Sequence, residues 1–431
     1  MKRTIAICLP AALLLFLAAF VMAEAINIHV GRLHTIPPAV HQERRLESGK
    51  IHMGDLKIVP SLTLGSVYDD NIFLGNGSNS PGEEESSDWI LRLMPGLLLD
   101  YGFGPRGRFR VGYRGDLAYY DDHSRNDWQT HEGLLDLDYR SPGGLIVRAI
   151  NVYTDAEDPY SSENEYELGR KIERWHNNLK TRVGFDFRNR FKVLAFYNYY
   201  KQDYDQREDF TQDYDCDEFG AGVEMRLLPK TWGFIRYHYG EREYFSHREG
   251  VTEENDSDFS WHRMNAGLTW EPGAKLSGEL NVGYQWKDYD NKANKDGYIY
   301  DDRNTWIAST MISYRPSLTR VLSFSMIRAL REVGSNTDEY FEDTGVGLSL
   351  QQVFLDRIRL SVGTILSQND YNVFDDRRRK DDNYKVNIGL DYSVRDWLHT
   401  GLSYSYWRKD SSITRYDFTD NRFMVTIDVV Y

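Results

Sequence analysis

Apart from its first 25 residues, the chain has no apolar run long enough to cross a bilayer as a helix, since mean hydropathy is −0.60 and 27% of residues are charged. A polytopic helical membrane protein is therefore excluded. Cysteine is nearly absent: of the two, Cys8 lies in the first segment, which leaves Cys216 alone beyond it. No internal disulfide framework and no cysteine-based zinc site can be built from one thiol. Proline is scarce, at 12 residues, and no Pro-, Ser- or Gly-rich linker divides the chain. Helical periodicity is scarce after residue 56. The formal net charge of −14 argues against nucleic acid as a partner.

The opening segment, MKRTIAICLPAALLLFLAAFVMAEA, runs from Lys2 and Arg3 through an apolar core to small residues at Ala23 and Ala25. That order is a secretory signal peptide, with cleavage expected after Ala23 or Ala25. A retained anchor is the alternative, but the apolar stretch is short and Pro10 interrupts it. Residues 26–56, including IPPAVHQERRLESGK, read as a flexible periplasmic lead-in, and 57–431 as one β-rich unit.

What the sequence has in abundance is aromatic residues, 30 Tyr, 20 Phe and 10 Trp, set in segments that alternate apolar and polar positions. In KLSGELNVGYQWK, Leu276, Gly278, Leu280, Val282, Tyr284 and Trp286 alternate with Lys275, Ser277, Glu279, Asn281, Gly283, Gln285 and Lys287. Such segments are half-apolar strands. Short turns fall at 104–107, 141–144, 188–190, 229–231, 271–275, 316–319, 355–357 and 395–397, spaced by about 40 residues, one hairpin pair per repeat. Longer acidic or polar connections lie between them, as at 75–88, 154–171, 246–258 and 369–383. Eight short turns and nine longer loops imply about 18 strands, with both ends on the short-turn side. The predicted fold is all-β: a transmembrane antiparallel outer-membrane β-barrel with short periplasmic turns and long acidic extracellular loops. Trp89, Tyr101, Tyr113, Tyr139, Tyr153, Trp232, Trp270, Trp306 and Tyr314 fit interfacial girdles on its outer surface.

If the apolar face meets lipid, alternation assigns the inner face. It places Arg92, Arg108, Arg110, Arg114, Arg140, Arg148, Lys180, Arg182, Lys192, Arg226, Arg236, Arg263, Lys275, Lys287, Arg357, Arg359 and Lys385 inside. Against them stand Asp100, Asp116, Glu132, Asp136, Asp138, Asp186, Glu218, Glu224, Glu279, Asp391 and Asp428. This is roughly 17 basic against 11 acidic groups, a net-basic lumen in an acidic protein. A tube of this strand number is too wide for side chains to fill, so it holds an aqueous channel unless loops obstruct it. The inward charges either attract anions or merely solvate the wall and pair across strands. A one-residue register error would invert any strand's list. Tyr120, Phe196, Tyr200 and Trp407 are expected inward, as sugar-stacking platforms or as wall packing.

Catalytic signatures are missing. The histidines are scattered, with no His-Glu-x-x-His spacing, and there is no Gly-x-Ser-x-Gly elbow or phosphate-cradling loop. The acidic 288–302 segment lacks EF-hand spacing and its closing Glu, and reads as a solvated loop with divalent-ion bridging to lipopolysaccharide as the alternative. No cofactor, metal or enzymatic activity is expected.

The stretch VPSLTLGSVYDDNIF, residues 59–73, resembles the opening of the outer-membrane β-barrel porin 2 family, whose members often begin with Pro-Ser, an alternating strand and Tyr-Asp-Asp-Asn-Ile-Phe, here Tyr68 to Phe73. The resemblance implies a barrel over roughly 57–431, and, through members associated with exopolysaccharide or capsule secretion, an exit for a polysaccharide, with a periplasmic export partner. Sequence independently supplies the barrel, its width and its basic lumen. The readings it leaves open are an exporter of anionic polysaccharide, a diffusion porin for small anions, and a scaffold barrel closed by its loops. The chain ends on RFMVTIDVVY, with Phe423, Val425, Ile427, Val429 and Tyr431 on the expected lipid face. A terminal aromatic preceded by alternate apolar residues resembles the signal read by barrel-assembly machinery.

Overall fold

The computed structural model describes residues 51–431 except 79–83, 161–167, 245–255, 271–274, 294–298, 334–337 and 374–378. The expected signal peptide and most of the expected lead-in lie outside the described residues. The described strands are β1 (Ile51–Met53), β2 (Leu56–Asp69), β3 (Asp88–Gly102), β4 (Gly107–Tyr120), β5 (Trp128–Arg140), β6 (Leu145–Ala156), β7 (Arg174–Phe187), β8 (Phe191–Tyr204), β9 (Tyr214–Leu228) and β10 (Thr231–Tyr244). They continue with β11 (Phe259–Trp270), β12 (Leu276–Tyr289), β13 (Arg303–Ser317), β14 (Arg320–Glu332), β15 (Asp338–Phe354), β16 (Ile358–Val373), β17 (Lys380–Arg395), β18 (Leu398–Ser411) and β19 (Phe418–Val430).

Each strand from β2 onward pairs antiparallel with the next, and β19 pairs with β2 from Arg422↔Asp69 to Val430↔Ser61. The sheet closes on itself as an 18-strand barrel, which leaves no sheet edge at either end of the order. The small β1 forms a hairpin with the start of β2, so residues 51–56, expected to be lead-in, are built into the sheet. Two of the short turns, at Arg188–Asn189 and Leu355–Asp356, have both residues at φ between 51° and 59°. That is the type I′ geometry, whose twist matches the flanking strands of a tight hairpin. On the other side β16 and β17 extend to Val373 and from Lys380, further into the 369–383 stretch than loop composition suggested.

Alternation along each strand decides which face a residue joins. Leu62, Leu64, Leu91, Val183, Phe219, Ile235, Met264, Leu348, Leu402 and Val425 are exposed outward apolar side chains, whereas their sequence neighbours are covered. Tyr101, Tyr113, Tyr153, Trp89 and Trp306 stand on this outer surface, as expected for girdle residues. Trp232 does not: it is 2% exposed and points inward, with Lys192 Nζ 3.5 Å and the Arg226 guanidinium 4.9 Å from its ring centre. Its position beside the 229–230 turn hides the parity, because two registered partners shift at Thr231/Trp232.

Candidate functional site: the barrel lumen

The inner wall is organised by cross-strand register. On β3, β4 and β5 opposite charges stand directly beside each other. Arg92 pairs with Asp116 and Arg110 with Asp136, Arg114 Nη2 lies 2.9 Å from Glu132, and Arg108 Nε 3.1 Å from Asp100. Arg140, at the end of β5, is an exposed rim residue 3.9 Å from Asp138. This sector is a ladder of alternating sign, so Arg108, Arg110 and Arg114 contribute a polar wall and little net field.

The next sector differs. Across β6, β7 and β8 the inward charged side chains are Arg148, Arg174, Lys180, Arg182 and Lys192 against Asp186. Arg148 is registered between Asp138 on β5 and Arg182 on β7, and Lys180 lies opposite Ile150 and Asn198. Like charges placed in register raise the local positive potential of a water-filled wall. Arg174 reaches toward the 157–173 loop, with Asp158 at 3.8 Å.

Beyond this arc the wall returns to balanced clusters. Arg236 binds Glu279 in a two-point contact, at 3.0 and 3.1 Å, and Glu224 at 3.1 Å; Glu224 also accepts from Lys192 Nζ at 3.0 Å. Arg236 lies on β10 and Glu279 on β12, so the guanidinium must pass over β11. Gly267 on β11 leaves room for the Phe234 ring on which that guanidinium stacks at 3.9 Å, since a Cβ there would sit 1.9 Å from the Leu280 carbonyl oxygen and 2.6 Å from the ring. Arg263 pairs with Glu218, which also accepts from Asn198 Nδ2 at 2.7 Å and faces His238 Nδ1 at 3.2 Å. Arg226 donates to Asn189 Oδ1 at 2.6 Å near the short-turn rim. Arg359 is registered opposite Asp391 on the inner face. Arg357 is not on the wall: it is an exposed residue of the 355–357 turn, where strand alternation no longer applies. Lys275 likewise lies outside the strands, before β12.

The four inward aromatics are packed. Tyr120 accepts from Trp128 Nε1 at 3.3 Å within an apolar cluster, and Trp407 stacks edge-on with Phe418 at 4.5 Å, donates to Asn383 Oδ1 at 3.2 Å and lies under Lys385. Phe196 packs on His238 at 5.4 Å and Tyr200 on Tyr214 at 5.5 Å. Tyr120 and Trp407 are buried in the wall, at 6% and 2% exposure, whereas Phe196 and Tyr200 are half-buried on the inner face of β8.

The Tyr-Asp-Asp-Asn-Ile-Phe stretch sits where the barrel closes. Asp69 forms an ion pair with Arg422, 2.9 Å from its Nε; Arg422 also pairs with Asp420 at 2.6 Å and lies 3.9 Å from the centre of the Tyr160 ring. Asp70 takes the Asn421 backbone N–H at 2.7 Å and its side-chain amide at 2.8 Å. Asn71, fully buried, donates to the carbonyls of Gly75 and Thr419 at 2.8 and 2.9 Å and accepts the Gly75 N–H at 2.9 Å. The motif therefore continues the β2–β19 closure above the last ladder pair. Burial pushes the Tyr160 phenol in the covering loop well above its ordinary pKa, so it stays a neutral donor to Asp69.

Sequence reasoning missed the charged residues around β13 to β15, notably Arg303, Arg328 and Glu342, described below. RVLSFSMIRALRE has apolar residues on both faces, so alternation alone gives no unambiguous parity there.

A family model described as "Putative beta-barrel porin 2" matches residues 48–431. No curated protein matches. Among solved structures, Pseudomonas aeruginosa OpdO is 11% identical, covers 87% of this chain and 97% of its own, with a TM-score of 0.45. Pseudomonas aeruginosa OpdL is 13% identical over 88% of this chain and 99% of its own, at 0.44. Acinetobacter baumannii OccAB4 is 10% identical over 87% and 98%, also at 0.44. The closed 18-strand architecture and the match across nearly the whole described chain lead to one conclusion: the protein belongs to the putative β-barrel porin 2 family, as an outer-membrane β-barrel of porin type.

Proposed function

We propose that the barrel conducts an anionic solute along its axis, and that this solute is an acidic polysaccharide leaving the cell. The observation that carries the anionic preference is the basic arc on β6 to β8, where Arg148, Lys180 and Arg182 share the inner face with Arg174 and Lys192 while Asp186 is the one inward carboxylate of those strands; Arg174 and Lys192 are met by Asp158 and Glu224 from outside them. In a water-filled tube such an arc concentrates anions without a deep binding well, so a charged polymer exchanges many weak contacts as it moves. The polymer itself is argued from the resemblance of residues 59–73. Residues Arg148, Lys180 and Arg182 carry the preference; Arg108, Arg110 and Arg114 support the wall beside it. Lipopolysaccharide around the loops, the assembly machinery and a periplasmic export partner belong to the same reading.

Planar-bilayer recording tests the first part. Wild-type channels are expected to favour chloride over potassium, and Arg148→Glu/Lys180→Glu/Arg182→Glu to reverse that preference. The same triple reversal at Arg108, Arg110 and Arg114 should shift selectivity less, because that sector sets inward carboxylates directly beside its basic groups. Unchanged selectivity in the β6–β8 variant refutes the arc. Deletion of the gene tests the cargo: surface polysaccharide at normal levels, with altered uptake of small anions, favours the diffusion-porin reading.

A further inference from the structure

At every other seam of the barrel the ladder reaches the extracellular end of at least one of its two strands, but between β13 and β14 it stops short. The topmost pair is Ala308↔Arg328, although β13 begins at Arg303 and β14 continues to Glu332. Residues 303–307 pair only with β12, and 329–332 only with β15. A barrel wall closes by pairing along its seams, so where the ladder stops at this mouth other contacts must hold β13 and β14 together.

Side chains supply it. Arg328 on β14 donates to Thr305 Oγ1 on β13 at 3.3 Å and lies 4.8 Å from the centre of the Trp306 ring. Arg303 on β13 and Arg328 on β14 both bind Glu342 on β15, so one carboxylate holds two strands across the gap. Lys287 on β12 binds Glu332 on β14 in the same way. Beside this latch Leu330 packs on an aromatic cluster of Phe259, Trp261, Tyr289, Tyr300 and Tyr340 at the barrel mouth. Replacing a backbone ladder by ion pairs makes closure reversible, because an anion can substitute for Glu342 at the two guanidinium groups, which backbone pairing would not permit.

We propose that the upper β13–β14 seam is a lateral outlet for an anionic amphiphile. Its headgroup displaces Glu342 from Arg303 and Arg328, and its acyl chain passes beside Leu330 and the aromatic cluster into the outer leaflet. This is a route through the wall, distinct from axial conduction.

Electron spin resonance on the full barrel in lipid nanodiscs tests it, with Cys216→Ser and labels at the outward Tyr284→Cys on β12 and Val346→Cys on β15. Dodecyl phosphate should lengthen the distance by about one strand spacing, ~5 Å, and dodecyl maltoside, neutral with the same chain, should not. Glu342→Gln should show the longer distance without any amphiphile. A control pair across an intact seam, Val193→Cys with Ile235→Cys, should stay fixed. The proposal fails if dodecyl phosphate leaves the β12–β15 distance unchanged, or if the control pair lengthens equally. Should Glu342→Gln not assemble, the dodecyl phosphate comparison on the intact latch still decides. Anion selectivity measured on the same protein reports the axial channel separately.

Discussion

Single residues in this wall differ sharply in what their loss would cost. Arg236 is 8% exposed and holds two buried carboxylates, Glu224 and Glu279. Truncation to Ala would leave both facing each other without their shared cation, a cost of about 3–5 kcal/mol for a broken buried pair. Arg236→Ala should therefore lower the temperature at which the folded band converts to the unfolded band on gels, whereas Arg140→Ala, at an exposed rim pair, should leave it unchanged. Asp258, in the loop before β11, has its carboxyl pushed above the usual range by burial, reinforced by Asp290, Glu243 and Asp256. A raised carboxyl pKa means the folded state holds the proton more tightly, so this group destabilises at neutral pH and the penalty fades as pH falls through the raised value. Asp258→Asn should accordingly stabilise the barrel at pH 7, keep the oxygen that accepts the Tyr244 N–H, and lose its advantage in acid. Denaturation midpoints across pH check the sign.

At the scale of elements, the Asp69-Asp70-Asn71 stretch does for the closing seam what a ladder does elsewhere. Asn71→Ala removes two hydrogen bonds that close the 71–75 turn and the one that ties it to the Thr419 carbonyl on β19, which should cost on the order of 2 kcal/mol and loosen closure at the extracellular end. Hydrogen exchange of the Thr419 to Asn421 amides would report it; unchanged protection would show that the β2–β19 ladder alone sets closure. Gly267→Val asks the same of the β11 crossing, where a Cβ meets the Leu280 carbonyl. Strand existence and turn placement were legible in the sequence, because apolar residues at every second position leave one arrangement that buries neither face wrongly. The alternating short turns and longer loops were legible for the same reason. Trp232 and Arg357 were not, since both sit within two residues of a turn, where the period of two breaks.

The whole molecule sets what the charges do. Its final strand presents Phe423, Val425, Ile427, Val429 and Tyr431 outward, all at least 37% exposed. Removal of Tyr431 should reduce the amount of folded barrel recovered from outer membranes without changing the selectivity of the fraction that assembles, as cell fractionation and bilayer recording would show. Sequence by itself determined the barrel, its strand number and, wherever alternation is clean, which residues turn inward, because alternation and loop length are local properties of the chain. Which inward charges cancel was decided only in three dimensions. Arg110 meets Asp136 across 26 positions of sequence, Arg236 meets Glu279 across 43 and Asp69 meets Arg422 across the entire barrel, so the field in the lumen depends on register between strands. The same holds for the β13–β14 seam: each strand is regular alone, and only their pairing shows where the ladder ends and ion pairs take over.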